Sequence, residues 1–438
     1  MLNPLKHLTA RPAGRPAASG PARPAAPRSR RTRRAGGAIA VLAAMALVAS
    51  CGTTTATSGG SSGSGATIST AVRQASVGAS AADVLAANAD TSEAVAAITD
   101  ADGAGAYDAS AATTITASGS SVEVSGTGTG NVTTDSADGT TVTITGSGTY
   151  VLTGTLDDGR VVVSAEDADV RLVLAGASIT NADGPAIDVQ DAGSAVMVLA
   201  EGTTNTLADG SSYADTGEDA ATAALYSSDT LAITGTGSLD VTGSYKDGIS
   251  SKNGLVIAGG PTITVNAADD GVRGKDYLLV SSGRLTVTAG GDGMKSSEDD
   301  DETRGFVALG AATVTVASGD NGISATTDVT VDGTTLSITA GGGQASATVS
   351  GQEPGQGGPE RGAPDQDQSA DSTEADSTPS PKGINAGVAY AQDSGSVTID
   401  AADEGLQGAF VNVNGGSLDI ASGDDGVNAS NGDSTIEG

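Results

Sequence analysis

Thr262-Ile263-Thr264-Val265-Asn266-Ala267-Ala268-Asp269-Asp270-Gly271-Val272-Arg273-Gly274-Lys275-Asp276-Tyr277-Leu278-Leu279-Val280 is the stretch that decides the fold. Apolar residues alternate with Thr in its first part. An Asp-Asp-Gly corner interrupts, and a second apolar run follows. Alternation at period two reads as a strand, and Gly, Asn and Asp read as turns. The corner returns along the chain as Asp247-Gly248-Ile249, Asp292-Gly293-Met294, Asn321-Gly322-Ile323, Lys382-Gly383-Ile384, Glu404-Gly405-Leu406 and Asp425-Gly426-Val427. Its glycines are 23, 22, 29, 61, 22 and 21 residues apart. A period of ~22 residues with two or three short strands per unit predicts an all-β fold, a parallel β-helix or solenoid. The regular step disfavours the competing arrangement, an array of β-sandwiches. Stacked rungs bury an inward column of Val, Ile and Leu, and glycine at the corners is expected where φ is positive.

Composition agrees with small aliphatic columns. The 438 residues include 64 Gly, two Phe and no Trp, which leaves few large side chains for a globular core. Upstream runs such as Thr141–Ile144, Val161–Val163 and Val196–Leu199 read as further strands with looser spacing. The rungs together span 113–438, with an insertion at 341–381 rich in Gly, Gln, Pro, Asp and Ser that cannot pack. Residues 67–112 are rich in Ala and Asp, and Ser80 to Ile98 form a marginal helix or a linker. The chain stops at Gly438 just as another strand begins, so a truncated or frayed end is expected there.

The formal net charge is −32. Nine of the 21 basic residues lie in the first 50, which hold no acid, so 12 basic face 53 acidic residues from Cys51 onward. Such a chain repels nucleic acid and anionic membranes and attracts cations. His7 is the only His and Cys51 the only Cys. Catalysis by Ser-His-Asp or Cys-His groups, zinc sites of the usual ligands, haem, iron–sulfur clusters and disulfides are therefore excluded from the body.

Residues 1–50 read as a secretory signal: Arg28-Ser-Arg-Arg-Thr-Arg-Arg34, an apolar run from Ala38 to Ala49, then small residues before Cys51. Cys directly after the break resembles a bacterial lipobox, with Cys51 lipidated. The apolar run falls short of the ~20 residues of a membrane-spanning helix. Residues 51–66, mostly Gly, Ser and Thr, form a flexible tether. The expected location is the outer face of the cytoplasmic membrane, with contact to the membrane through the lipid only.

Stacking places the residues at the corners in columns. Asp247, Asp270 and Asp292 precede successive corner glycines, with Asp269 and Asp320 alongside. Asp403, Glu404, Asp424 and Asp425 form a second set. Unit charges ~5 Å apart repel by about 1 kcal/mol in water and by about 3 kcal/mol at an effective dielectric of 20, unless a cation lies between them. Clustered carboxylates are hard oxygen ligands and suit calcium; the competing reading is solvated turn acids. Beside them, Lys252 and Lys275 share one repeat position, and Arg273 and Lys295 another. These four either pair with the acids or engage a polysaccharide, with Tyr245 and Tyr277 flanking them as stacking platforms, or with Tyr277 an inward strand residue instead.

Tyr150-Val-Leu-Thr-Gly-Thr-Leu, Leu199-Ala-Glu-Gly-Thr-Thr-Asn-Thr-Leu, Tyr245-Lys-Asp-Gly-Ile-Ser-Ser-Lys, Ala268-Asp-Asp-Gly-Val-Arg-Gly-Lys-Asp and Gly291-Asp-Gly-Met-Lys-Ser-Ser occur in order. They resemble the bacterial carbohydrate-binding β-helix domain of cellulose- and pectin-binding surface proteins, over about residues 113–437. The resemblance implies a right-handed parallel β-helix related to polysaccharide lyases, bound calcium, and binding to cellulose and polygalacturonate without established lyase activity. The sequence departs from it at Asn321 and Lys382, which replace the corner acid. Two other functions compete with a calcium-bearing glycan binder. One is a pectate-lyase-like eliminase with a Lys or Arg base. The other is a surface stalk or adhesin in which the repeat is only a spacer.

Overall fold

The computed structural model describes residues 78–88, 105–137, 139–217, 219–347 and 380–429. The signal segment 1–50, Cys51 and the tether, most of 67–104, the larger part of the 341–381 insertion and residues 430–438 lie outside them. Among the described residues, no helix is long and apolar enough to cross a membrane.

The all-β expectation holds for the body. In its middle, Ser238–Gly243, Asp247–Ser251 and Gly254–Ile257 pair in parallel with Thr262–Ala267, Val272–Gly274 and Tyr277–Ala289 respectively. The corner copies are in-register partners: Ile249 with Val272, then Met294, Ile323, Ile384, Leu406 and Val427. Ile249, Val272, Met294, Ile323, Ile384 and Leu406 are completely buried, and they belong to one continuous apolar interior that begins at Ile115. Burial of each such side chain contributes about 1.5–3 kcal/mol.

The expectation of a right-handed parallel β-helix, a solenoid of uniform ~22-residue rungs, is corrected by the strand pairing. Among the described residues, all strands join one 28-stranded, mainly parallel sheet that closes as a barrel-like wall around the interior and is not a solenoid. Its first part does not follow the repeat. Thr113–Gly119 with Ser121–Gly126, and Val132–Asp135 with Thr140–Ile144, are antiparallel. Gly159–Thr180 is a single 22-residue strand, and Ile187–Leu199 a single 13-residue one, where separate short strands were expected. The register step from Ile187 to Leu225 is 38 residues. The chain turns within these strands at bulges, such as the register shift between Leu174 and Ala177 of Gly159–Thr180, where Gly176 has a φ of 79°.

A second correction concerns the corner glycines. None of Gly248, Gly271, Gly293, Gly322, Gly383 and Gly405 has a positive φ. A Cβ on Gly271 would instead run into Val287 Cγ1 and stand 2.6 Å from the Gly293 carbonyl oxygen. The same clash recurs for Gly248 with Val265, Gly293 with Val316, Gly322 with Ile338, Gly383 with Ile399 and Gly405 with Ile420. These glycines are small because a β-branched side chain of the interior occupies the space a Cβ would take.

Outside the wall, a short helix spans Ala81–Ala86, well inside the expected Ser80–Ile98. Ser80 Oγ accepts from Asp83 N, and Asp83 Oδ2 accepts from Ser80 N, a reciprocal cap. Val84 packs with Val388, Ala389 and Ala391, and Leu85 against the cluster of Val256, Leu279 and Phe306. This cover accounts for the burial on both faces of Asp328–Val331 and Ala389–Gln392.

Candidate functional site

The corner acids form a hydrogen-bonded ladder. Asp270 Oδ1 accepts from Asp292 N at 3.0 Å. Asp292 Oδ1 accepts from Asn321 N and Nδ2 at 3.1 and 2.9 Å, and Asn321 Oδ1 accepts from Lys382 N at 3.0 Å. Each corner side chain thus ties its own turn to the next. Lys295 Nζ lies 3.0 Å from Asp270 Oδ2 and 2.8 Å from Asp292 Oδ2, so an ammonium stands between the two carboxylates. Burial works to lower the Lys295 pKa, but the hydrogen bond and charge of Asp292, with Asp270 behind them, outweigh it and raise it. Burial raises Asp270, against the pull of Lys295. Asp247 is pushed up to about 6 by burial and then by the Asp270 charge, against Arg273 and the Thr222 hydroxyl. Asp320 is half-buried and raised by burial, and Asp269 is exposed.

Among the described residues, two groups of three carboxylates come within 4.8 Å of one another: Asp403–Glu404–Asp424 and Glu298–Asp299–Asp300. Asp425 is exposed and belongs to neither. Lys382 Nζ lies 3.4 Å from Asp403 Oδ2 and 3.0 Å from Glu404 Oε2. Ser380 Oγ also donates to Asp403. Burial raises both members of the Asp403–Glu404 pair, and the hydrogen bond between them splits it. Asp403 ends below its ordinary value and Glu404 above. Glu298 is engaged by Lys275 Nζ at 2.7 Å, which lowers its pKa. An all-oxygen set fits a hard divalent cation in donor type. In both groups an incoming cation would have to displace a lysine.

The basic residues named from the sequence do come together, mostly as ion pairs. Arg273 and Lys295 are register neighbours, preceded in the same column by Asp188, Tyr226 and Ser250. Arg273 Nη2 donates to Ser297 Oγ at 2.9 Å, and Lys252 Nζ lies 3.2 Å from Asp219 Oδ1. Tyr245 is half-buried and stacks on Tyr213 at 4.2 Å between centroids and 20° between planes, so one of its faces is taken. Tyr277 is buried against Phe306, which removes it as a platform.

Sequence reasoning missed a cleft of about 810 Å³ at the start of this column. Arg160, Asp183, Asp188, Tyr213, Asp219 and Tyr226 are among its lining residues. Its outer rim is the segment inside the 38-residue register step between Ile187 and Leu225. That long, acid-rich excursion was the available signal. Asp188 Oδ2 accepts from Gln190 Nε2 at 2.7 Å, and burial raises its pKa against that bond and the Arg160 charge.

A family model described as carbohydrate-binding domain-containing protein matches residues 138–426. The chain belongs to this family. A carbohydrate-binding domain-containing protein from Acetivibrio thermocellus is 31% identical over 192 residues, which are 43% of this chain and 67% of that one. A solved structure of a polysaccharide lyase-like protein from C. thermocellum, a gadolinium derivative, is 28% identical with a TM-score of 0.50. The likeness covers 52% of this chain and 92% of the other. The carbohydrate-binding family match takes in both acid groups, the basic column and the cleft.

Proposed function

We propose that the chain binds polysaccharide at the cell surface, anchored by a lipid on Cys51 at the outer face of the cytoplasmic membrane. The observation that carries the binding is the family match over residues 138–426. The anchor rests on the basic segment, short apolar run and Cys51 of the sequence. The proposed glycan is an extended polymer of the polygalacturonate or cellulose type. It would lie across the Ser250–Arg273–Lys295 column, where polar side chains repeat at the strand spacing of ~4.8 Å. Calcium is proposed at Asp403, Glu404 and Asp424, whose oxygens would hold it once Lys382 swings away. The three side chains supply only oxygen ligands, the type that hard cations prefer.

A lyase reading draws on the polysaccharide lyase-like description of that structure. Such chemistry needs a base with a pKa near neutrality. Burial works to lower the pKa of Lys252 and Lys295, but Asp219 and the Asp292–Asp270 pair outweigh it, and Glu298 raises Lys275. All three therefore stay protonated, which favours binding over elimination. Retention of the full chain on calcium-crosslinked polygalacturonate and on cellulose, assayed together with the release of unsaturated product, tests the choice. Retention without product supports the binder. Product formation supports the eliminase, and no retention in any condition leaves a spacer.

A further inference from the structure

The basic column and the cleft beside it differ in charge. Four aspartates line the cleft, Asp183, Asp188, Asp215 and Asp219, against one basic side chain, Arg160. Its volume of about 810 Å³ falls within the ~300–1,000 Å³ of ligand sites. Among the described residues, the hydroxyl of Tyr226, a residue only 4% exposed, finds no hydrogen-bond acceptor. Lys252 stands beside it and can donate to the phenolic oxygen, but offers no acceptor for the phenolic hydrogen. A buried hydroxyl costs free energy until it finds a partner, so a polar group entering the cleft recovers it.

We propose that this cleft is a separate recognition pocket for a sugar unit that carries hydroxyl or amino groups and no carboxylate. The inference rests on the carbohydrate-binding reading and adds a subsite to it. Asp188 and Asp183 accept from sugar hydroxyls or an ammonium, Gln190 and Arg160 donate to sugar oxygens, and Tyr226 donates its unmatched hydrogen. Donors and acceptors placed side by side suit the paired hydroxyls of a pyranose. A uronate would bring its own negative charge among four carboxylates with a single Arg to offset them, and like charges at short range repel.

The experiment uses the full chain, titrated calorimetrically with cello-oligosaccharide, chitosan oligosaccharide and oligogalacturonate. Wild type is compared with Tyr226→Phe, which keeps the ring and removes only the hydroxyl. Circular dichroism of both proteins checks the fold. Loss of one good hydrogen bond should weaken a non-acidic oligosaccharide about ten-fold. Retention on calcium-crosslinked polygalacturonate should be unchanged. The neutral and amino-sugar arms show which non-acidic unit is preferred. Equal affinity of both proteins for every oligosaccharide, with polymer retention intact, overturns the cleft alone. A ten-fold loss confined to oligogalacturonate overturns its charge preference. No binding to any polymer or oligosaccharide overturns the carbohydrate-binding reading, and the cleft with it.

Discussion

At the scale of single residues, the repeated Asp-Gly corner performs two tasks that the sequence shows only as one pattern. The acid closes a ladder to the next turn, and the glycine makes room for an aliphatic side chain. Gly271→Ala is therefore expected to destabilise the fold by about 1–3 kcal/mol through overpacking against Val287. Thermal unfolding checks it, and Gly426→Ala, where a Cβ meets nothing within 4 Å, is the control. Asp247 carries a cost of a different kind. Its folded pKa of about 6 lies above the ordinary 3.8, so the folded state holds the proton more tightly than the unfolded one. The contribution of Asp247 to stability is then fully present below pH about 4 and is lost as pH rises through about 6, by about 3 kcal/mol for a shift of this size. Asp247→Asn keeps an oxygen for the Thr222 hydroxyl and is expected to raise stability at pH 7 and flatten that decline, as read by urea unfolding across pH 4–7. The corner acids themselves were legible from their spacing. The pairing of Lys295 with these acids was one of the two expected roles; that its single ammonium bridges Asp270 and Asp292 was not legible, because only coordinates show where a long flexible side chain ends.

At the scale of elements, the strands that follow the corner repeat were legible, since one side of each must be apolar and the period is two. Thr262–Ala267, Arg284–Ala289 and Thr313–Ser318 stand in register as their alternation required. Upstream, Gly159–Thr180 hid its length because bulges let a chain turn without leaving the sheet, and a bulge has no fixed sequence spacing. The helix was legible in place but not in extent. Its cap is local, whereas what it covers is remote in sequence: Val84 meets Val388 and Ala389. Asn88 donates to Asp328, and Gly78 N donates to Asn412. Ser80→Ala removes the acceptor for Asp83 N and is expected to cost about 1 kcal/mol of helix stability. Hydrogen exchange would register it as faster exchange over residues 81–88, with the Thr262–Ala267 strand unaffected.

At the scale of the molecule, charge is unevenly distributed. The basic residues are few, and Lys252, Lys275 and Lys295 each stand against an acid, so the surface proposed for the glycan is polar rather than strongly positive. The cleft at the start of the column is acidic. The corner repeat marked the column because its members recur at a fixed step. The cleft is marked by no repeat, because Arg160, Asp188, Tyr213 and Tyr226 come from segments with no common spacing; its one trace in the sequence is the acid-rich stretch inside the 38-residue register step. The central claim is that this surface holds a polysaccharide, with calcium at Asp403, Glu404 and Asp424 as the bridge to an acidic one. The most direct measurement is retention of the full chain on calcium-crosslinked polygalacturonate and on cellulose, with calcium or with chelator at matched ionic strength. Wild type, Asp424→Asn and Asp270→Asn are compared. The account predicts chelator-sensitive retention on polygalacturonate that Asp424→Asn abolishes and Asp270→Asn leaves in place, since Lys295 already occupies the Asp270 carboxylate. Retention of neither polymer by wild type, with its circular dichroism unchanged, would contradict it.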